Sequence, residues 1–325
     1  MRKWFVTVMA GILSVLALGL PMYVQAATPA PAAGSPGQGL EISPPVLELT
    51  ADPGQTVTTH IRVRNVTQGI LIAKGKADDF GAGADETGQP KLLLDETGAT
   101  RYSLKYWVQG VPDLQLAPQE LKDATITIAV PRNAEPGGHF GVVRFTAVPP
   151  DLQGTGVALS ASVGTLILLR VSGPVTEKLS VEQFATLHGE DPTSFFEKGP
   201  INFVVRIKND GTVHDAPKGS IAVTDVFGHK VATVGVNPTS GNVLPDSIRR
   251  FEQSLAGTHM FGHYTAKLTM KYASNQTLAA TVGFWVIPWR LLLMVVVILV
   301  LAFFVGRWAL RKYNEHIIAQ ARRPR

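Results

Sequence analysis

The chain of 325 residues contains no cysteine. That single absence removes disulfide staples, thiolate metal sites and cysteine nucleophiles together. Amphipathic helical periodicity is scarce before residue 288, so a helical bundle is excluded as the main architecture. Basic surface is lacking too. The formal charge of +5 looks like a nucleic-acid signal, but residues 27–287 hold 21 Lys and Arg against 24 Asp and Glu, a balance of −3. The basicity belongs to the two ends of the chain, and no nucleic-acid partner is expected. Catalytic signatures are missing as well. His60, His139, His188, His214, His229, His259 and His263 precede the C-terminal apolar run, yet none sits in a nucleophile elbow or a His-Glu-x-x-His run. His259 and His263 stand four apart, but Met260-Phe261-Gly262 reads as a turn into a strand, so polar turn residues are expected there and no metal. No cofactor and no enzymatic activity are expected.

What the chain does have is a long uncharged run, Leu291 to Val305, framed by Arg290 and Arg307 and then by Trp289 and Trp308. Fifteen apolar residues are short for a span, but arginine stems lie along apolar surface while their heads reach the interface. The tryptophans are nineteen positions apart, roughly 28 Å along a helix, close to a hydrocarbon core with an aromatic belt at each edge. Arg311 and Lys312 follow, then Arg322, Arg323 and Arg325 against a lone Glu315. By the positive-inside rule this foot is cytoplasmic and everything upstream lies outside. Trp289, Arg290, Arg307, Trp308, Arg311 and Lys312 are the expected membrane-interface anchors. At the other end, Arg2 and Lys3 precede the apolar stretch Trp4 to Leu20, and Val24-Gln25-Ala26 offers small residues to a signal peptidase. Cleavage after Ala26 is expected, with an uncleaved N-terminal anchor as the competing reading.

Residues 27–39 form a Pro/Ala/Gly spacer with nothing to bury. From Leu40 the texture becomes alternating β-branched and polar residues broken by Gly, Pro and Asn-Asp turns, the pattern of all-β sandwiches. Val46-Leu47-Glu48-Leu49 reads as a first strand and Thr56 to Val66 as a second, with Val57, Thr59, Ile61 and Val63 on one face. Asp78 to Gly88 is acidic and glycine-rich. Its spacing does not match a twelve-residue calcium loop, and a solvated strand connection is expected. Tyr102-Ser103-Leu104-Lys105-Tyr106-Trp107 crowds three aromatics into six residues; read as a strand, it puts Tyr102 and Tyr106 on one face and Trp107 on the other. Two fates are open to these rings: a ligand platform made of Tyr102, Tyr106 and Trp107, or, for Trp107, burial in a sandwich core. Asn65-Val66-Thr67 and Asn275-Gln276-Thr277 match the glycosylation sequon.

Gly173-Pro174 punctuates the chain and the pattern begins again. Phe203 to Gly211 echoes His60 to Thr67, both alternating strands ending at an Asn-initiated turn. Gly262-His263-Tyr264 likewise echoes Gly138-His139-Phe140. Two echoes in the same order argue for a duplicated module. The expected organisation is a signal peptide (1–26), the spacer (27–39), an immunoglobulin-like β-sandwich (40–172), a second one (175–287), one transmembrane α-helix (288–308) and a basic cytoplasmic tail (309–325). The fold class is all-β, two tandem immunoglobulin-like sandwiches followed by one C-terminal transmembrane helix.

That layout resembles the bacterial WxL-interacting surface proteins and related membrane proteins. The residues that carry the resemblance are Val46 to Leu49 with Asp52-Pro53-Gly54-Gln55-Thr56, the run Pro136 to Gly141, and Asn209-Asp210-Gly211-Thr212-Val213-His214 with Gly219 and Phe227-Gly228. The resemblance implies that the first domain binds peptidoglycan and the second a partner surface protein, on a cell membrane with an extracellular ectodomain. The expected partners are therefore membrane lipid through a single span, peptidoglycan and a surface protein. The alternative is a chaperone or assembly factor for exported proteins that pairs an exposed sheet edge with another chain's strand; a cell-wall or glycan hydrolase accessory comes behind it.

Overall fold

The computed structural model describes residues 39–94, 98–148, 162–256 and 260–321, with the side chains of the last helix described to Lys312. The leader, the spacer up to Gln38, His259 and the terminal arginines lie outside the described residues.

The first sandwich is built from β1 (Leu40–Ser43), β2 (Val46–Ala51), β3 (Thr56–Asn65), β4 (Leu71–Ala82), β5 (Pro90–Leu93), β6 (Val108–Gln109), β7 (Leu114–Leu116), β8 (Leu121–Ala129), β9 (Gly137–Val148) and β10 (Ser162–Val171). One sheet has the order β1-β3-β8-β6; the other has β2-β10-β9-β4-β5, with β7 also on β4. Strand β1 precedes the expected first strand. Pro44 and Pro45 separate it from β2 because neither can donate to a ladder, and across them the chain changes sheets. Alternation sets the faces as expected: Ile61 and Val63 on β3 meet Ala124, Ile126 and Ile128 of β8 in a core completed by Phe145, Ile167 and Leu169.

The second sandwich repeats this plan with β11 (Leu179–His188), β12 (Asp191–Pro192), β13 (Phe195–Phe196), β14 (Ile201–Asn209), β15 (Lys218–Asp225), β16 (Lys230–Val236), β17 (Ser247–Leu255), β18 (Gly262–Tyr272) and β19 (Gln276–Val286). Its sheets run β12-β11-β14-β17 and β13-β19-β18-β15-β16. In each sandwich the final strand takes an early strand in parallel, β2 on β10 and β13 on β19. The echoes fall on equivalent elements: His60 to Asn65 ends β3 and Phe203 to Asn209 ends β14, while the two Gly-His-aromatic runs lie at the starts of β9 and β18.

The two asparagines do the same work. Asn65 Nδ2 donates to the carbonyl of Gly69 at 2.7 Å and its Oδ1 accepts from Thr67 N at 2.9 Å. Asn209 Nδ2 donates to Val213 O at 2.8 Å and its Oδ1 accepts from Gly211 N at 2.8 Å. Each side chain is buried because it satisfies a turn's amides and carbonyls that would otherwise lose water unpaired. Asn65, at 0% exposure, is therefore no glycan acceptor despite its sequon.

Two expectations need correcting. Residues 102–107 are two turns on either side of Ser103, which makes a single bridge to Phe140, and form no strand. The acidic stretch is no solvated connection at its start: Asp78 and Asp79 belong to β4 and are each 3% exposed.

Helix α1 (Trp289–Ala321) begins three residues after β19. Its segment Trp289–Lys312, 24 residues whose most apolar window has a mean hydropathy of 2.7, is long and apolar enough to cross a membrane, and none of that window is buried against the rest of the protein. Past the expected span the chain continues as the same helix to Ala321.

Candidate functional site

The aromatic loop is assembled around Asp79. Its Oδ1 accepts the amides of Leu104 and Lys105 at 2.9 and 2.8 Å, and Lys105 Nζ lies 3.7 Å from Oδ2. This pins Leu104 into the core at 0% exposure and sends its neighbours to different places. Trp107 packs against the first sandwich's core and lies tilted against His139, ring centroids 4.2 Å apart. Tyr106 is 55% exposed, with Lys105 Nζ 5.1 Å from its ring centre. Tyr102 turns to the second sandwich and donates its hydroxyl to Asp246 Oδ2 at 2.6 Å. The three rings therefore form no common platform; Tyr106 alone is offered to solvent.

Tyr102 belongs to a junction between the sandwiches that the sequence did not signal. Phe80, Phe140, Val142 and Leu168 form a small core on the outer face of the β4-β9-β10 sheet, and Leu244 of the second sandwich packs on it. Around it, Glu86 takes a two-pronged bond from the Arg206 guanidinium, Nε to Oε2 at 2.6 Å, and Arg250 N donates to Glu86 O at 2.8 Å. The Arg206 hydrogen bonds hold the Glu86 carboxyl below its ordinary pKa against the opposing effect of burial. Glu48 accepts from Asn242 Nδ2 at 2.7 Å. Burial, reinforced by the hydrogen bond to Asp246, pushes the Tyr102 phenol up to about 12. Beside the junction lies a cleft of about 400 Å³ lined by Val46, Phe80, Leu168, Leu244 and Arg249. Loss of water lowers the pKa of Arg249.

Two histidines flank this junction. His214 lies edge-on to Phe140, with centroids 5.6 Å apart. Burial is the first cause that lowers the pKa of both His214 and His139. The folded chain therefore takes up protons on both rings less readily than the unfolded chain, which does so below about pH 6.5. Stability is fully present above that value and is lost as pH falls. The melting temperature should drop by a few degrees between about pH 6.5 and 5, and His214→Gln should flatten the drop; an unchanged slope in that variant would remove His214 from the account.

A second feature, missed in the sequence, is the side of β19 away from β18, which β11 of the facing sheet runs close to without pairing. Along one side β18 pairs with it from Gln276 to Val286. Along the other, only Trp285 and Val286 are paired, by β13. The amide of Trp285 points to that outer side, where it donates to Ser194 O at 2.7 Å. By the two-residue period, Thr277, Ala279, Thr281 and Gly283 present their amides and carbonyls the same way. Among the described residues none of these four has a backbone partner there. The signal was available: Gln276 to Val286 holds no charge and no proline.

The residues expected as membrane-interface anchors all lie on α1. Arg290 stands over the Trp289 ring at 5.5 Å and Lys312 over the Trp308 ring at 4.7 Å, so each end of the apolar run carries a cation paired with an indole. Arg307 and Arg311 are exposed on the same helix. Among the described residues no group of three or more His, Asp or Glu is placed to hold a metal; His263 lies tilted against Trp285, with ring centroids 4.9 Å apart.

No protein-family model and no curated protein matches the chain. Among solved structures, the class 5 fimbriae chaperone CfaA is similar at 16% identity, over 75% of this chain and 98% of that one, with a TM-score of 0.38. The Escherichia coli chaperone DraB is similar at 12% identity over 74% and 95%, TM-score 0.36. The Pseudomonas aeruginosa chaperone CupB2 is similar at 13% over 74% and 97%, TM-score 0.32. At this degree of overlap nothing about function carries over from them.

Proposed function

We propose that the protein is a membrane-anchored, non-enzymatic binding protein that holds an extended segment of another exported polypeptide by adding that segment as a strand to the unpaired side of β19. The unpaired backbone edge at Thr277, Ala279, Thr281 and Gly283 carries this reading, with the incoming strand entering between it and the nearby β11. Exposed edges are ordinarily blunted by charge, proline or brevity, because an unpaired row of amides and carbonyls templates another chain. Among the described residues, β2 carries Glu48, β11 carries Glu182 and β17 carries Arg249, Arg250 and Glu252, whereas β16 is blunted only by Lys230 at its start and by its shortness. In this reading α1 spans the membrane with its cationic foot inside, residues 40–172 and 175–287 are separate exported modules, and the strand acceptor stands next to the bilayer.

The test is Thr281→Pro in the full-length protein in native membranes. Proline there removes an outward amide that β18 does not use, so the fold survives while a ladder across that edge is interrupted. Capture of a partner from the same membranes should fall at least about tenfold with little change in melting temperature. Undiminished capture would rule the edge out.

A second reading follows from the resemblance to WxL-interacting proteins: residues 40–172 contact peptidoglycan and residues 175–287 a surface protein. Tyr106 supports it, as an exposed ring with a cation over it beside a rigid loop. Sedimentation of the Thr281→Pro protein with insoluble cell wall, after its protein capture is lost, favours that reading for the first module.

A further inference from the structure

The second sandwich leaves six large apolar side chains exposed among its described residues: Phe195, Val226, Phe227, Val231, Phe261 and Trp285, with Phe227 at 81%. The sheet register puts them all at one end. Asp225 faces Tyr264, which faces Phe284 across the β15-β18-β19 ladder. Val226 and Phe227 continue past Asp225, and Val231 is the second residue of the return strand. Phe261 precedes Gly262, which faces Val286, and Phe195 pairs with Trp285. This is the end from which α1 departs. The helix root is tied to it: Ile287 N donates to Phe196 O at 2.8 Å, and Arg290 Nε lies 3.5 Å from Glu197 Oε2.

The tip that carries Phe227 is built. Asp225 Oδ1 accepts the amides of both Phe227 and His229, at 2.9 and 2.8 Å, and Gly228 supplies the positive φ of +82° that the turn requires. Strand spacing puts β15 about 10 Å from β19, so Phe227 stands beside the first turn of α1 at a similar height. Scattered exposed apolar residues are ordinary on a soluble domain. A set confined to the end that leads into an apolar helix, and absent elsewhere on that sandwich among the described residues, asks for a cover.

We infer that this end of the second sandwich lies in the headgroup layer of the bilayer that α1 enters, with Phe227 as its deepest point. Aromatic rings belong in that layer, and Lys230 and Arg290 beside them suit anionic headgroups. The sandwich is then held against the membrane at two places, the helix and the β15-β16 turn, so that the β19 edge is kept at a set height and orientation. The inference rests on α1 spanning the membrane and is separate from what β19 binds.

The absence of cysteine makes the test clean. Phe227→Cys and, at the opposite turn of the same sheet, Asn275→Cys are each labelled with an environment-sensitive fluorophore in the full-length protein and reconstituted into phosphatidylcholine–phosphatidylglycerol vesicles. Flotation confirms insertion. The label at 227 should shift to the blue and be quenched by headgroup-proximal spin-labelled lipid at least roughly twofold more strongly than the label at 275. Equal, water-like signals at both positions in floated protein overturn the inference. A blue shift that follows the protein-to-lipid ratio and ignores the quencher overturns it in favour of contact between copies. Failure to float overturns the span itself, and with it the inference.

Discussion

Gly219→Ala should unfold the second sandwich. A Cβ at this position would lie 2.0 Å from the carbonyl oxygen of Thr269 and 2.5 Å from Met270 Cα, both backbone atoms of the adjacent strand. Gly219 faces Met270 one pair in from the end of the β15-β18 ladder, between Lys218 and Ser220, which are paired as well. A side chain could swing aside; a paired strand cannot move without breaking its ladder. Overpacking that relaxes costs about 1–3 kcal/mol, and this contact has no relaxed form short of separating the strands. A loss above about 4 kcal/mol is expected, a large part of the roughly 5–15 kcal/mol that holds a domain folded. Gly235, two strands from β18 on β16, supplies the control. An added Cβ there meets nothing within 4 Å, so Gly235→Ala should leave stability unchanged or raise it slightly. Calorimetry on the two variants decides the matter, and a Gly219→Ala protein that melts with the parent would mean that β15 and β18 are not paired in this register.

Gly219 also shows how far a sequence of this kind can be read. As one letter in a turn-and-strand motif it marked a resemblance but gave no reason; the reason is close approach of a neighbouring backbone, 50 positions away, which no local pattern encodes. The two-sandwich layout was legible because it rests on period-two alternation and on turn residues, both local, and because the Asn65 and Asn209 turns repeat the same chemistry in the same words. The long apolar run was legible for the same reason. Partners across space were not. Glu86 sat in an acidic stretch that looked solvated, and its carboxylate is claimed by Arg206, 120 residues on. Asp78 is held by Arg144 Nη2 at 2.9 Å and by Lys76 at 3.4 Å. The aromatic cluster failed as a platform because a strand was assumed for it, whereas Asp79 folds it into turns. The β19 edge was missed for a simpler reason: its signal is the absence of charge and proline in a strand that otherwise reads like its neighbours, and only topology shows which side lacks a partner.

Asp79 itself predicts the second large effect. Its side chain is 4% exposed and its Oδ1 is shared by two main-chain amides, while Oδ2 faces the Lys105 ammonium, itself 13% exposed. Removing the carboxylate in Asp79→Ala leaves two amides without their acceptor beside the buried Leu104 and takes an opposite charge away from Lys105. Each loss alone costs about 1–3 kcal/mol, and breaking a buried ion pair from one side about 3–5 kcal/mol, so a loss of at least about 3 kcal/mol is expected. Asp79→Asn separates the two contributions, because an amide oxygen still accepts from both main-chain groups while the charge is gone; it should cost about half as much. The difference has a local readout. In the alanine variant the turns from Ser103 to Trp107 lose their anchor, so Trp107 should leave His139 and its emission should move to the red well below the global unfolding temperature. In the asparagine variant Trp107 should stay in place. Equal destabilisation by both substitutions, with Trp107 emission unmoved in either, would mean that the loop is held by the packing of Leu104 alone, and Tyr106 would then owe its exposed position to the core and nothing to Asp79.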